Sequence, residues 1–528
     1  LADFKPTFSE DRVMTYTSDK APSIGLVEVP ALGLYDPEGH NWTALYRKNV
    51  LLSKQVLIAN LQAGGFDAQL VNLKDGDCQE PFGQVTWKGM NLTKTYVGRK
   101  ISDVDPQSYD AWGVTVNFTQ ERQVACMTIA HLASKGKPVV VGGSDAIAEP
   151  HHYLAAGAAA IVVDKSGAAN WSVFDYLLEQ PLREDLSGAI LADGRSYPPR
   201  TKAKSPDEWE LPSVEVARQC LGQEYSEEPF IEKLVPIGSV YPDIGCDRKC
   251  DFCQTPTYTS GYRRMSPETT FQWLVRQKEA GAKCTIMGSD QFLGRVLFPD
   301  GREEVLEITK RAREIGMPLL WPNGLELRKA TLGRGRNYEN TDLTPDEELI
   351  EALWGWDGEV GCFLGYIPAE RPVFGREAYS KLLPWQQHCD MMKTIVRTGL
   401  PVIVYGLIIG LPDDDHDSLL RLEEAVSGLH QQLRAINPNL DFQVASYAIS
   451  PIPGTPQGEN IRKSGLLRFD DPSITGGLWT PSCDTHHLSY EDISEWQLRL
   501  AQIGKAESKL INYHGGLTKI AHVDNKDS

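Results

Sequence analysis

Short runs of unbroken apolar residues alternate along this chain with longer amphipathic stretches, and the alternation occurs twice. From about Ser23 to Val163 the runs are SIGLVEV, DAQLVNL, AWGVTVNF, KPVVVGG and AAIVVD. Continuous rather than alternating apolarity is what strands buried on both faces of a parallel sheet require. Between them lie amphipathic segments such as NWTALYRKNVLLSKQVLIANLQAGG, closed by glycines that stop helices. The pattern predicts a doubly wound α/β domain over residues 1–193. A charged, proline-bearing stretch then predicts a linker over 194–230. The second alternation carries LVPIGSVYP, KCTIMGS, PLLWPNG, VGCFLGY, PVIVYGLIIG and FQVASYAIS, which predicts a full or partial (β/α)6 barrel over 231–456. Beyond Pro456 the chain turns polar and ends in SYEDISEWQLRLAQIGKAESKLINY, predicted as a small, mostly helical capping region over 457–528.

At 528 residues the chain exceeds what one hydrophobic core organises. Its 41% hydrophobic and 23% charged content is that of a soluble globular protein, and no apolar run is long enough to span a membrane. The opening LADFKPTFSEDR has neither a basic start nor an apolar run, so no secretory signal is expected. A net charge of −18 repels phosphate backbones and argues against nucleic acid as a partner. Seven of the ten cysteines (Cys78, Cys126, Cys220, Cys284, Cys362, Cys389 and Cys483) are scattered, without the spacing of a disulfide framework, which points to a reducing cytoplasm.

The other three lie in GCDRKCDFCQTP, as Cys246, Cys250 and Cys253, on a loop after the first strand of the second region. Thiolates this close repel one another unless a soft cation neutralises them. Zinc is one reading, but it ordinarily closes its shell with four ligands in two-plus-two spacing, and no second Cys/His pair lies nearby. Three thiolates and an open position suit a 4Fe–4S cluster.

The loop resembles the signature of the radical-SAM superfamily, with the aromatic Phe252 before the last cysteine and GYRRMSPE shortly after it. Ordered matches follow at later strand ends, in MGSDQF, FLGYIP, GLIIGLPDDD and SPIPGTP. The resemblance implies a 4Fe–4S cluster on Cys246, Cys250 and Cys253 at the mouth of a partial barrel, with S-adenosylmethionine bound near Phe252, Ser289 and Asp290. One departure is Tyr366, where many relatives read Gly-hydrophobic-Glu; it is either a barrel filler or a hydroxyl facing substrate or cofactor. Glu326, in PLLWPNGLEL, has three readings: a fourth, hard ligand to the cluster, a contact to a substrate amine, or a solvated loop acid. Trp321, Tyr366 and Tyr405, at strand ends, are candidate walls of a substrate pocket.

Superfamily members with a Rossmann-like domain ahead of the three-cysteine loop are commonly cobalamin-dependent. By that resemblance the cobalamin contacts are Leu32 and Tyr35 in VPALGLYDP, Asn117, Phe118, Thr119 and Gln120 in NFTQER, Gly142, Gly143 and Ser144 in GGSDAIAEP, and Asp164 and Gly167 in DKSG. All follow strands, at the edge where open α/β sheets bind ligands. The glycine pair leaves room for a flat ligand or tail, although two glycines are also a common strand-ending turn. The D-x-H-x-x-G motif that gives a histidine to cobalt in some cobalamin proteins is missing, and His40 in DPEGHNW reads as a surface-loop residue. Arg122 is then the candidate cation beneath cobalt, favouring a four-coordinate Co(I) state; otherwise it opens a helix and pairs with solvent or Glu121.

Within this family, IGCDRKCDFCQTP, WPNGLEL and NFTQER are similar to the tryptophan 2-C-methyltransferases of thiostrepton-type antibiotic biosynthesis. The resemblance implies methyl transfer from S-adenosylmethionine through methylcobalamin to indole C2 of free L-tryptophan, by a polar route and with an external reductant. An electron-rich indole carbon accepts a methyl group without first losing hydrogen, and holding the donor against it is worth up to about 7–11 kcal/mol. Tyr366 is the implied partner of the indole nitrogen. Two rivals remain: a cobalamin-dependent radical methylase of an unactivated sp3 carbon, and a cobalamin-binding sensor with a structural metal loop.

Overall fold

A computed structural model describes residues 21–43, 48–200, 203–223, 233–258, 260–334, 342–371, 381–477 and 480–504. The opening LADFKPTFSEDR, residues 44–47 of the first predicted helix, parts of 194–230 and the end of the closing helical run lie outside them. No described helix is long and apolar enough to cross a membrane.

All five predicted strands of the first region form, as Ser23–Glu28, Asp67–Asn72, Ala111–Thr115, Val139–Gly142 and Ala160–Val162. They run parallel in the spatial order second, first, third, fourth, fifth. This is a common doubly wound order, which opens a ligand crevice at the carboxyl ends of the strands. Two short antiparallel strands, Ala189–Leu191 and Ser196–Tyr197, extend the sheet beyond residue 193. Farther on, Val214–Gln219 is helical, capped by the Ser213 hydroxyl, so 194–230 contains ordered elements of its own.

A three-stranded antiparallel sheet was not legible in the pattern: Ala31–Tyr35, Met90–Gly98 and Cys78–Trp87. Cys78–Trp87 has no unbroken apolar run and carries Pro81 at a register irregularity, so it gives no strand signal. Its hairpin turns at Lys88 and Gly89, both with positive φ (49° and 73°), the backbone that tight hairpins prefer. The sheet packs on the C-terminal region, where Trp87 Nε1 donates to the Pro481 carbonyl at 3.1 Å and Lys94 pairs with Asp471 at 2.7 Å.

The second region forms all six predicted strands: Ile237–Val240, Cys284–Met287, Leu319–Trp321, Cys362–Glu370, Val402–Ile409 and Asp441–Ala448. They are parallel and neighbour one another in chain order, as in an open (β/α)6 sheet with helices in the crossovers. Local chemistry sets the helices. Pro267–Ala280 begins with the Ser266 hydroxyl accepting from Thr269 N at 3.2 Å and Pro267 in its first turn, and stops at Gly281, φ 106°. Its Thr270, Trp273, Leu274 and Gln277 recur at helical spacing and are buried.

The two units dock through helix Leu52–Ala63 of the first. Gln55 is fully buried; its Nε2 donates to Ser239 O (2.7 Å) and Oγ (2.8 Å), and its Oε1 accepts from Gln277 Nε2 (3.0 Å). Gln277 Oε1 in turn accepts from Ser239 N at 3.1 Å. Beside this network a Cβ on Gly288 would lie 2.4 Å from Leu52 Cδ2, so the glycine permits the close approach.

The first unit also buries a charge network. Lys54 lies 3.0 Å from Glu28, while Lys74 bridges Glu28 at 2.7 Å and Glu121 at 3.3 Å. Burial alone would raise the Glu28 carboxyl, but Lys74 and Lys54 outweigh it and hold it down to about 2. A carboxyl depressed in the folded state contributes its full stability above its ordinary range and loses it as pH falls toward the folded value. Glu28→Gln, by stranding Lys54 and leaving Lys74 to Glu121, is predicted to destabilise the fold by about 3–5 kcal/mol at neutral pH. Denaturant midpoints measure this, with the gap to wild type narrowing as pH drops from about 4.5 toward 2.

Candidate functional site

A cavity of about 540 Å³ opens at the carboxyl ends of the second sheet, and every one of its six strands contributes to the wall. Cys246, Cys250, Phe252 and Cys253 follow the first strand, Asp290 the second and Glu326 the third, while Tyr366 projects from the fourth. Ile408 and Tyr447 complete the ring from the fifth and sixth. This is the edge at which parallel β/α architectures place their chemistry.

The cysteine loop is pinned at its root. Asp243–Ile244 pairs with Arg263–Arg264, and Gly245 then turns at φ 78°, where a Cβ would lie 2.0 Å from the Gly261 carbonyl oxygen. Gly245 N donates to Asp290 Oδ2 at 2.8 Å, and Tyr241 Oη donates to Oδ1 at 2.9 Å. The three thiols are free and half-buried. Burial pushes Cys246 up to about 11 and Cys250 up to about 12, so a bound metal must draw off their protons. Among the described residues, the three donor atoms that lie within 4.8 Å of one another belong to the half-buried Glu149 and the exposed His151 and His152, not to these cysteines. Three free thiols gathered on one short loop, soft donors without a second Cys/His pair beside them, fit an iron–sulfur cluster.

Glu326 is buried rather than solvated. It pairs with Arg248, whose Nε donates at 3.1 Å, with Lys329 at 3.0 Å and with Gln291 Nε2 at 3.1 Å. Burial raises its carboxyl, but Lys329 and Arg248 prevail and hold it below the ordinary range, so it is ionised, the form an iron ligand requires. Gln291 Nε2 also lies 4.0 Å from Cys246 Sγ, which places Glu326 on the cysteine side of the cavity. Ligation of a metal would compete with the Arg248 and Lys329 contacts.

Tyr366 occupies a slot cut by two glycines. A Cβ on Gly406 would fall 2.0 Å from its hydroxyl, and one on Gly324 2.8 Å from its Cδ1. Its ring meets Tyr447 edge-on at 6.2 Å. Trp321 and Tyr405, the other two candidate walls, point the opposite way. Trp321 Nε1 donates to the Leu353 carbonyl at 2.8 Å, and Tyr405 hydrogen-bonds His388 at 2.7 Å; both belong to the core under the outer helices. Side chains alternate faces along a strand, and these two fall on the outward parity.

A second cavity, of about 150 Å³, lies at the carboxyl edge of the first sheet. Asn117, Gly142, Gly143, Asp164 and Gly167 line it, together with Lys165, Asn170, Trp209 and Tyr241. The two glycines differ in kind. Gly143 (φ 105°) is needed because a Cβ would lie 2.2 Å from the Val116 carbonyl oxygen, whereas a Cβ on Gly142 would make an ordinary contact 3.9 Å from Val162 Cβ. Ser144 sits at the rim, accepting from Lys165 Nζ at 2.9 Å, and Lys165 stacks 4.7 Å over the ring of Tyr258, which follows the cysteine loop.

Other predicted contacts are placed elsewhere. Leu32 is buried in the core of the antiparallel sheet, with Tyr35 at the end of the same strand. Phe118 is 64% exposed, Thr119 donates to Asp145 at 2.5 Å, and Gln120 reaches the Ser473 carbonyl at 3.3 Å. Ser289 lies behind the larger cavity, its hydroxyl bonded to Asp243. Arg122 lines neither cavity: it makes a two-pronged pair with Asp145 at 2.8 Å, while Glu121 pairs with Lys74. The guanidinium stays protonated, its charge matched by the Asp145 carboxylate. His40 is a surface-loop residue held 3.1 Å from Asp36. Arg248, Gln291, Glu370 and Lys381 line or support the site without having been foreseen; Arg248, inside the cysteine spacing, and Gln291, inside MGSDQF, carried a sequence cue.

No protein-family model and no curated protein matches the sequence. Solved structures do. The cobalamin-dependent S-adenosylmethionine radical enzyme OxsB, with aqua-cobalamin and S-adenosylmethionine bound, aligns with a TM-score of 0.59 at 14% identity, over 90% of this chain and 66% of that one. The radical S-adenosylmethionine methyltransferase TsrM from Kitasatospora setae, with tryptophan and aza-SAM bound, aligns with a TM-score of 0.57 at 12% identity over 95% of each chain. The same enzyme with cobalamin and a [4Fe-4S] cluster aligns at 0.55 and 13%, over 85% of this chain and 76% of that one. The chain therefore spans just under two thirds of the length of OxsB, and at these identities the likeness is one of fold.

Anaerobically reconstituted wild type is predicted to retain iron and sulfide with visible charge-transfer absorbance. Cys250→Ala should lose both while keeping its far-ultraviolet circular dichroism; metal analysis and absorbance spectra check this.

Proposed function

We propose that this chain is a cobalamin-dependent radical-SAM methyltransferase, carrying a methyl group from S-adenosylmethionine to carbon on a small molecule. The finer proposal is that the molecule is free L-tryptophan, methylated at indole C2 for thiopeptide antibiotic biosynthesis. The observation that carries the reading is the adjacency of two cavities at the carboxyl edges of two parallel sheets, one lined by three free thiols and the other an open crevice: Tyr241, lining the second, donates to Asp290, lining the first, at 2.9 Å. The fold shared with OxsB and TsrM supports it. The tryptophan assignment draws on the resemblance in the cysteine, WPNGLEL and NFTQER loops, and on the tryptophan bound to TsrM.

Cys246, Cys250 and Cys253 would hold the cluster, and Asn117, Gly142, Asp164 and Asn170, which line the second cavity, would meet part of the cobalamin. When bound, these groups supply a reducing centre and a cobalt methyl carrier, with electrons from an external reductant. The chain itself provides position. Asp290 and Gly261 fix the cysteine loop through Gly245, and the phenolic oxygen of Tyr366 offers an acceptor for an indole N–H. Glu326 contributes a fixed negative charge beside Cys246.

Mass spectrometry of tryptophan incubated with reconstituted enzyme, cobalamin, reductant and methyl-labelled S-adenosylmethionine is predicted to show one transferred methyl on the indole. S-adenosylhomocysteine should accompany it, with little 5′-deoxyadenosine. Stoichiometric 5′-deoxyadenosine would indicate a radical route, and unmodified tryptophan would reject the substrate. Tyr366→Phe is predicted to slow turnover about tenfold, roughly the worth of one hydrogen bond, with cluster absorbance unchanged.

A further inference from the structure

The fourth strand of the second sheet ends irregularly. Its register with the fifth slips between Pro368 and Glu370, and Glu370 takes φ 57°, a backbone that side chains other than glycine rarely adopt. The slip turns Glu370 into the wall of the larger cavity, where its side chain is 7% exposed. Oε1 pairs with the Lys381 ammonium, while Oε2 is buried and has no hydrogen-bond partner among the described residues. Strain and a bare carboxylate oxygen at one residue are costs that a structure retains where a ligand relieves them. Burial raises the Glu370 carboxyl, Lys381 only partly opposes this, and Glu326 and Asp251 add to it. The carboxylate is therefore short of positive charge.

Lys381 is its complement. Also lining the cavity, it stays charged because Glu370 outweighs the cost of its burial. Its ammonium lies 5.5 Å over the Phe252 ring and has three N–H donors. A free α-amino acid carries an ammonium and a carboxylate on one carbon, in the spacing that an adjacent carboxylate and ammonium can match. Tyr366, Ile408, Tyr447 and Ile449 supply a largely apolar wall in the same cavity for its side chain.

We infer that Glu370 and Lys381 together recognise the α-ammonium and α-carboxylate of a free amino-acid substrate, so that the enzyme acts on the amino acid before it enters a peptide. This rests on the methyltransferase reading above. The methionine end of S-adenosylmethionine has the same zwitterionic chemistry, and the experiment separates the two sources.

The test is equilibrium dialysis of labelled L-tryptophan against the reconstituted full chain, with tryptamine and indole-3-propionate as competitors and S-adenosylhomocysteine as the control ligand. Wild type should bind tryptophan at least about tenfold more tightly than either competitor, because a site built for a buried charge rejects the ligand lacking its partner. In Glu370→Gln tryptophan should weaken at least about tenfold, and the preference over indole-3-propionate should collapse. In Lys381→Met the preference over tryptamine should collapse, which decides the matter if Glu370→Gln fails to fold. S-adenosylhomocysteine binding should hold in both. Unchanged preferences, or an equal loss of S-adenosylhomocysteine binding, overturn the assignment. If tryptophan does not bind but another of the twenty amino acids does, with the same dependence on both residues, the tryptophan reading falls and the pair's role stands. If none binds, the role falls.

Discussion

Gln55 sits where the two sheets are held against one another, and the rest of the site depends on that contact. Its side-chain amide, the Ser239 backbone and hydroxyl, and the Gln277 amide form a buried circuit in which both glutamine side chains are satisfied. Buried amides that lose a partner are costly, so the circuit closes well in one relative position of the units and penalises slippage. Leu52 seated against Gly288 adds a steric stop beside it. Held this way, the carboxyl edges of the sheets adjoin. Trp209 Nε1 reaches the Ser166 carbonyl at 3.0 Å, and Tyr258, beyond the cysteine loop, meets Lys165 from the first unit.

The charges in the larger cavity are graded. Near the thiols, Glu326 is fully engaged by Arg248, Lys329 and Gln291 and is thereby ionised. Asp290 is spent on the loop: burial raises its carboxyl, while Gly245 N–H, Lys165 and Tyr241 favour its charge. Among the described residues, Glu370 alone of these three keeps an oxygen without a hydrogen-bond partner. A cavity whose structural carboxylates are satisfied and whose remaining one is not has its polar opening at that residue, across from a predominantly apolar wall. Small-molecule sites commonly have this character, a mostly apolar lining with a few placed polar groups.

The strands that build both parallel sheets were legible because burial on two faces leaves a long apolar run, and all eleven formed. The three thiols were legible because short spacing on a loop is itself the geometric constraint. The antiparallel sheet was not, since Cys78–Trp87 has no unbroken apolar run and its Lys88–Gly89 turn lacks the usual Asn or Asp. Trp321 does end its strand and Tyr405 lies within one, but both fall on the outer face, because a run apolar on both sides carries no parity signal. Leu32 followed the first strand in sequence yet entered a different sheet.

Local sequence thus determined which segments become strands and helices and where the thiols cluster, because those properties depend on neighbours within a few residues. Tertiary structure decided which charges meet. Arg122 found Asp145, twenty-three residues away, rather than the adjacent Glu121, and Lys381 found Glu370 across the mouth of the cavity. A long charged side chain has many partners within reach in an unfolded chain, and only packing selects one. The bare oxygen of Glu370 belongs to the same class of fact: no pattern of residues announces it, since it exists only where the fold withholds a partner.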